Sequence, residues 1–87
     1  MKRIFDAKLR RVGNSFVFTV PFTIIKKFKP SSNNFFLFEV NITNVTREFD
    51  AKIRKVGNSH VVTLPAVIVN KFKLKQNQFI TISIDLE

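Results

Sequence analysis

Arg10-Arg11-Val12-Gly13-Asn14-Ser15 returns 44 positions later as Arg54-Lys55-Val56-Gly57-Asn58-Ser59, and the two copies hold the only two glycines of the chain. Moving outward, the flanks repeat in the same register. Phe5-Asp6-Ala7-Lys8 returns as Phe49-Asp50-Ala51-Lys52, Pro21 as Pro65, and Lys27-Phe28-Lys29 as Lys71-Phe72-Lys73. Residues 1–43 align with 45–87 at 19 identical positions without a gap. The chain is therefore a duplication, with repeat one at 1–44 and repeat two at 45–87. Either repeat alone is too short to bury a good core, so the expectation is a single pseudo-symmetric domain over 1–87 with one shared core. Eleven phenylalanines supply much of its apolar area.

Before each glycine turn, residues alternate. Phe5, Ala7 and Leu9 oppose Asp6, Lys8 and Arg10, as Phe49, Ala51 and Ile53 oppose Asp50, Lys52 and Arg54. Period two predicts a strand over 4–12 with one buried face. Gly-Asn then supplies residues that tolerate positive φ, as a tight hairpin demands. A second strand follows, with Phe18 and Val20 inward and Thr19 outward, matched by Val62, Leu64 and Thr63. Pro21 and Pro65 end it and suit a first helical position. Ile24, Ile25 and Phe28 then mark a short helix over 22–28, matched by Ile68, Val69 and Phe72. Residues 30–34 read as a turn, with Asn33 and Asn77 suited to a left-handed conformation. A third strand spans 35–42 and 79–86, with Phe36, Phe38, Val40 and Ile42 inward in one copy and Ile80, Ile82, Ile84 and Leu86 in the other. Residues 43–46 link the repeats. The expected fold is mostly β with two short helices.

The net charge of +9 favours polyanions as partners. Its placement is informative: all five arginines, Arg3, Arg10, Arg11, Arg47 and Arg54, precede a glycine turn. No apolar run approaches a membrane span and no signal core follows the N-terminal cations, so a soluble, cytoplasmic protein is expected. With no cysteine, disulfides and thiolate metal sites are excluded. The sequence has no nucleophile–base arrangement, no metal-ligand cluster and no phosphate-cradling glycine loop, so no catalytic residue, metal or cofactor is expected. His60 stands where repeat one has Phe16, which argues against a ligand or a base. Gly13 and Gly57 are read as serving the turn backbone. Asn14 and Asn58 have two readings, nucleic-acid contact and local turn bonding. The helix lysines, Lys26, Lys27, Lys71 and Lys73, are read as solubilising. Asp6 and Asp50 are expected to pair with neighbouring cations.

The string Arg54-Lys55-Val56-Gly57-Asn58-Ser59-His60-Val61-Val62-Thr63-Leu64-Pro65, and its counterpart from Arg10 to Pro21, resembles the swapped-hairpin family of AbrB, SpoVT and MazE. Its Gly-Asn-Ser form is most similar to the MazE-like branch. The resemblance covers nearly the whole chain, twice. It implies a cradle-loop type β-barrel, here built within one chain as a pseudo-dimer. It also implies sequence-directed binding of double-stranded DNA by a nucleoid-associated transcriptional regulator. Carried over residue by residue, the contacts fall on Lys8, Arg10, Arg11 and Asn14, and on Lys52, Arg54, Lys55 and Asn58. Two features depart from the family pattern. A position often basic in the second strand is Thr19 or Thr63, and the usual fourth strand is missing from both copies.

Two further functions compete with a DNA-binding regulator. An antitoxin-type module would capture a toxin as well as DNA, but the family's long acidic tail has no counterpart after Asp85-Leu86-Glu87, which argues against a toxin partner. A chromatin-like protein would bind DNA without preference. Phe35 and Leu37 fall on the outward face of the third strand, opposite Phe79 and Thr81 in the second copy, and such apolar patches often mark contacts. A homodimer through Phe35 and Leu37 is therefore weighed against a patch covered by the linker or the N-terminus.

Overall fold

The computed structural model describes residues 2–29 and 34–86. The chain runs β1 (Lys2–Lys8), β2 (Arg10–Val12), β3 (Ser15–Thr19), α1 (Phe22–Phe28), β4 (Phe35–Ile42), β5 (Val45–Lys52), β6 (Arg54–Val56), β7 (Ser59–Leu64), α2 (Ala66–Phe72) and β8 (Phe79–Asp85). It is mostly β with two short helices, as the periodicity predicts. The first strand of each repeat is not continuous, however. It breaks at Leu9 and Ile53, which are almost fully buried. There the chain leaves one sheet and enters the other. The Leu9 backbone donates to the Gln78 carbonyl at 2.9 Å and accepts from the Asn77 N–H at 2.8 Å. The loop before β8 thus satisfies the polar groups that the break frees from the ladder.

The turns follow from residue chemistry. Val12 pairs with Ser15 across a two-residue turn in which Gly13 has φ +62°, whereas Asn14 is not among the positive-φ residues. Glycine alone takes the left-handed position, as a type II′ turn requires at its first central residue. The repeats are joined by Thr43 (φ +48°) and Asn44 (φ +67°), between the paired Ile42 and Val45. Positive φ at both central residues is the type I′ requirement, so the linker is itself a hairpin turn. Pro21 and Pro65 occupy the N-cap, one position earlier than expected, with ψ near 137°. Their carbonyls still accept the first helical bonds. Lys29 and Lys73 end the helices in a left-handed conformation. Asn77 has φ +71°, as predicted; the matching Asn33, with Pro30 to Ser32, lies outside the described residues.

The strands form two antiparallel four-stranded sheets, in the orders β1-β8-β4-β5 and β2-β3-β7-β6. Exchanging the repeats turns each order into its own reverse. Hydrogen bonding stops at the four edge strands, so the described strands make two sheets rather than one closed barrel. In the first sheet every pairing joins a strand of one repeat to a strand of the other. The helices cross over too, α1 packing on β7 and α2 on β3. The inward residues of both sheets share one buried cluster. A run of rings crosses it from Phe5 through Phe18 and Phe38 to Phe49, with centroids 6.3, 5.8 and 5.4 Å apart. Phe5 and Phe49 are the same position in the two repeats. Ile80, Ile82, Ile84 and Leu86 are buried as predicted, and Phe38, Val40 and Ile42 likewise, with Phe36 at the rim.

Candidate nucleic-acid interface

In an antiparallel sheet, residues directly opposite each other share a face. In the β2-β3-β7-β6 sheet, Arg10 opposes Val17, which opposes Thr63; the next row holds Thr19, Val61 and Arg54. These six residues lie on the face turned away from the core, because their neighbours Phe18, Val62 and Leu64 are buried in it. The Arg10 guanidinium donates to Thr19 Oγ1 at 3.3 Å, and that of Arg54 to Thr63 Oγ1 at 3.0 Å. Each arginine reaches diagonally across the valine beside it to meet its threonine. Consistent with that cover, Val17 and Val61 are each only 3 % exposed although they lie on the outer face. Alternation alone marks them as exposed, and each stands directly opposite an arginine in the register.

The other sequence-predicted residues are dispersed around this pair. Arg11 and Lys55 have the opposite parity, at the two sheet edges beside the turns, and both are exposed. Arg11 Nε donates to the Gly13 carbonyl at 3.1 Å, bracing the turn. Asn14 and Asn58 sit exposed at the hairpin tips, with no side-chain hydrogen bond to another described residue. Lys8 and Lys52 belong to the other sheet, opposite Phe79 and Phe35, and the Lys52 ammonium lies 5.0 Å from the Phe35 ring centre. The duplicated arginines before the turns thus divide. Arg10 and Arg54 reach the outer face, whereas Arg3 and Arg47 cover the helix phenylalanines Phe28 and Phe72 at 4.9 and 5.5 Å.

Charge is segregated between the sheets. No residue of β2, β3, β6 or β7 is acidic. Five of the six carboxylate residues, Asp6, Glu39, Glu48, Asp50 and Asp85, share the outer face of the β1-β8-β4-β5 sheet with Lys2, Lys8 and Lys52. There Glu39 pairs with Lys2, and this hydrogen bond raises the lysine above its ordinary pKa. Asp6 accepts a bond from Thr81 Oγ1 at 3.0 Å, and Asp50 stands opposite Leu37. Neither pairs with a cation among the described residues, contrary to the expectation from strand parity; the residues directly opposite them, Thr81 and Leu37, are uncharged. The chemistry left on the β2-β3-β7-β6 face is two guanidiniums, the hydroxyls of Thr19, Thr63, Ser15 and Ser59, and the exposed Val12 and Val56, whose parity matches Arg10 and Arg54. Thr19 and Thr63 face outward as the alternation predicts, but the sequence assigns them no partner, and it does not mark Val12 and Val56. Spacing by two from the arginines would have found the valines; the threonines lie on a different strand, and only cross-strand register finds their partners.

No protein-family model matches the chain, and no curated protein matches it. Among the described residues no three potential metal ligands gather, and no helix is long and apolar enough to cross a membrane.

Proposed function

We propose that the chain binds double-stranded DNA with sequence preference, as a transcriptional regulator, through the outer face of the β2-β3-β7-β6 sheet and its two hairpin tips. The observation that carries this reading is the pair of guanidiniums, Arg10 and Arg54, held by Thr19 and Thr63 on an acid-free face. Three strand spacings put the two arginines roughly 15 Å apart, comparable with the ~12 Å width of a B-DNA major groove. Arginine forks match guanine edges, and exposed valines suit thymine methyl groups. The acidic residues gathered on the other sheet favour this orientation by repelling phosphates from that side. The interleaved strand order and the resemblance of residues 10–21 and 54–65 to AbrB-like proteins support the same reading, with the two repeats acting as an intramolecular pseudo-dimer of swapped hairpins.

Selecting duplexes from a random pool, then titrating the preferred and a random duplex at several salt concentrations, tests it. Preferred binding should exceed random binding by at least about 10³-fold. Equal affinities would leave only a chromatin-like binder, and recovery of a stoichiometric small nuclease from cells would favour the antitoxin reading. Self-association through Phe35 and Leu37 is a subsidiary proposal. Phe35 and Phe79 are equally exposed, at 65 % and 67 %, so asymmetry between the repeats here rests on Leu37 against Thr81. Light scattering should show the Phe35→Ser, Leu37→Thr variant at half the parent mass; equal masses reject it.

A further inference from the structure

β1 is an edge strand. Among the described residues, β8 pairs with it on one side and no strand pairs on the other. Helix α1 flanks that free side, leaving a cleft of about 260 Å³ whose lining includes Arg3, Ile4, Phe5, Lys27 and Phe28 and no acidic residue. Arg3 and Lys27 stand 4.9 and 5.7 Å from the centre of the Phe28 ring. Ile4, which lines the cleft, is 72 % exposed on the strand, and Phe22, 68 % exposed, lies at the start of the helix between the lining residues Pro21 and Thr23.

The second repeat acts as an internal control. It keeps Arg47, Phe49, Lys71 and Phe72 in the matching places but has Glu48 for Ile4 and Ala66 for Phe22. A charge on an edge strand blunts pairing with another chain, and a glutamate also repels carboxylates. An exposed isoleucine does neither. The scaffold of the groove is thus present twice in the sequence, while an apolar lip is present once.

These features restrict the occupant. The cleft is smaller than the roughly 300–1,000 Å³ typical of small-molecule sites and holds one or two side chains. A free strand edge beside a helix suits an extended peptide, whose main chain bonds to the edge while a side chain fills the cleft. Arg3 and Lys27 select carboxylates, and Ile4, Phe5 and Phe28 select an apolar anchor. We propose that the β1–α1 groove binds an acidic, extended peptide segment of a partner protein by strand addition to β1. The groove lies on the other sheet from Arg10 and Arg54 and does not depend on the DNA reading.

The test uses the full chain and a fluorescein-labelled heptapeptide of alternating Glu and Val with a central Phe, beside a counterpart with Lys for Glu. Amide shifts should appear in β1 and α1, and only the acidic peptide should bind, with Kd below about 1 mM. Ile4→Glu, which copies the second repeat, should weaken it about tenfold without lowering Tm or DNA affinity. Glu48→Ile should raise the stoichiometry from one peptide towards two. The proposal is overturned if the lysine peptide binds equally well, if Ile4→Glu binds like the parent, if the acidic peptide does not bind, or if the shifts fall on β2–β3 and β6–β7, which would mean plain polyanion binding to the basic sheet.

Discussion

At the residue scale the pairs Arg10–Thr19 and Arg54–Thr63 are the features to break. A hydrogen-bonded guanidinium is pre-organised, so less rotamer freedom is lost when it meets a base. Arg10→Ala and Arg54→Ala should each lower the preference for the selected duplex, by roughly 1–3 kcal/mol, and at opposite half-sites. Thr63→Val removes the hydroxyl but keeps the shape. It should leave Tm nearly unchanged and reduce the preferred-to-random ratio; an unchanged ratio would mean that the threonine does not position Arg54. Gly57 tests the turn. A Cβ there would meet nothing within 4 Å, so its requirement for glycine comes from φ +61° and not from space. Gly57→Ala should destabilise by about 1–2 kcal/mol. D-Alanine at the same site should be tolerated, since its mirror-image preference matches positive φ. Equal losses for both enantiomers in thermal melts would contradict that account.

At the element scale the most consequential feature is the break at Leu9 and Ile53. Each buried side chain sits where one strand becomes two, so the pivot links the sheet that holds the acids to the sheet that holds Arg10, Arg11 and Arg54. The ring run from Phe5 to Phe49 connects the same two sheets through the core. Phe38→Ala, at its fully buried centre, should cost about 3–5 kcal/mol in denaturant unfolding. A loss below about 1 kcal/mol would mean that the core collapses freely around the gap. The helices contribute little of their own, being seven residues each, and depend on packing across the repeats.

At the scale of the whole molecule the repeats are inseparable. Residues 1–44 alone would keep the β2–β3 hairpin but lose the partners of β1 and β4 across the first sheet, except for any new pairing between two copies. The fragment should be unfolded or self-associated; a monodisperse, cooperatively melting 44-residue monomer would refute the shared core. Charge segregation gives the molecule a basic side and a mixed side, so DNA affinity should fall steeply with salt. Each phosphate contact removed by mutation should lower the log–log slope by about 1. Lys26→Ala, on α1 and away from the arginine face, should change neither slope nor preference. A helix lysine that matters as much as Arg54 would mean diffuse electrostatics.

The sequence by itself determined the duplication, the strand parities, both helices and most of the core. Those depend on local periods of two and 3.6, and writing the pattern twice made each period visible twice. It also determined that Arg10 and Arg54 point away from the core, because parity decides that. Only the tertiary structure decided where each strand breaks, which strands pair between the repeats, and that two open sheets share the core. These depend on pairing between residues far apart in the chain, to which local periodicity is blind. For the same reason the sequence did not reveal that Thr19 and Thr63 bond Arg10 and Arg54, that Val17 and Val61 are buried although they lie on the outer face, or that the acids gather on one sheet. Cross-strand register creates each of these neighbours, and register exists only once the chain has folded.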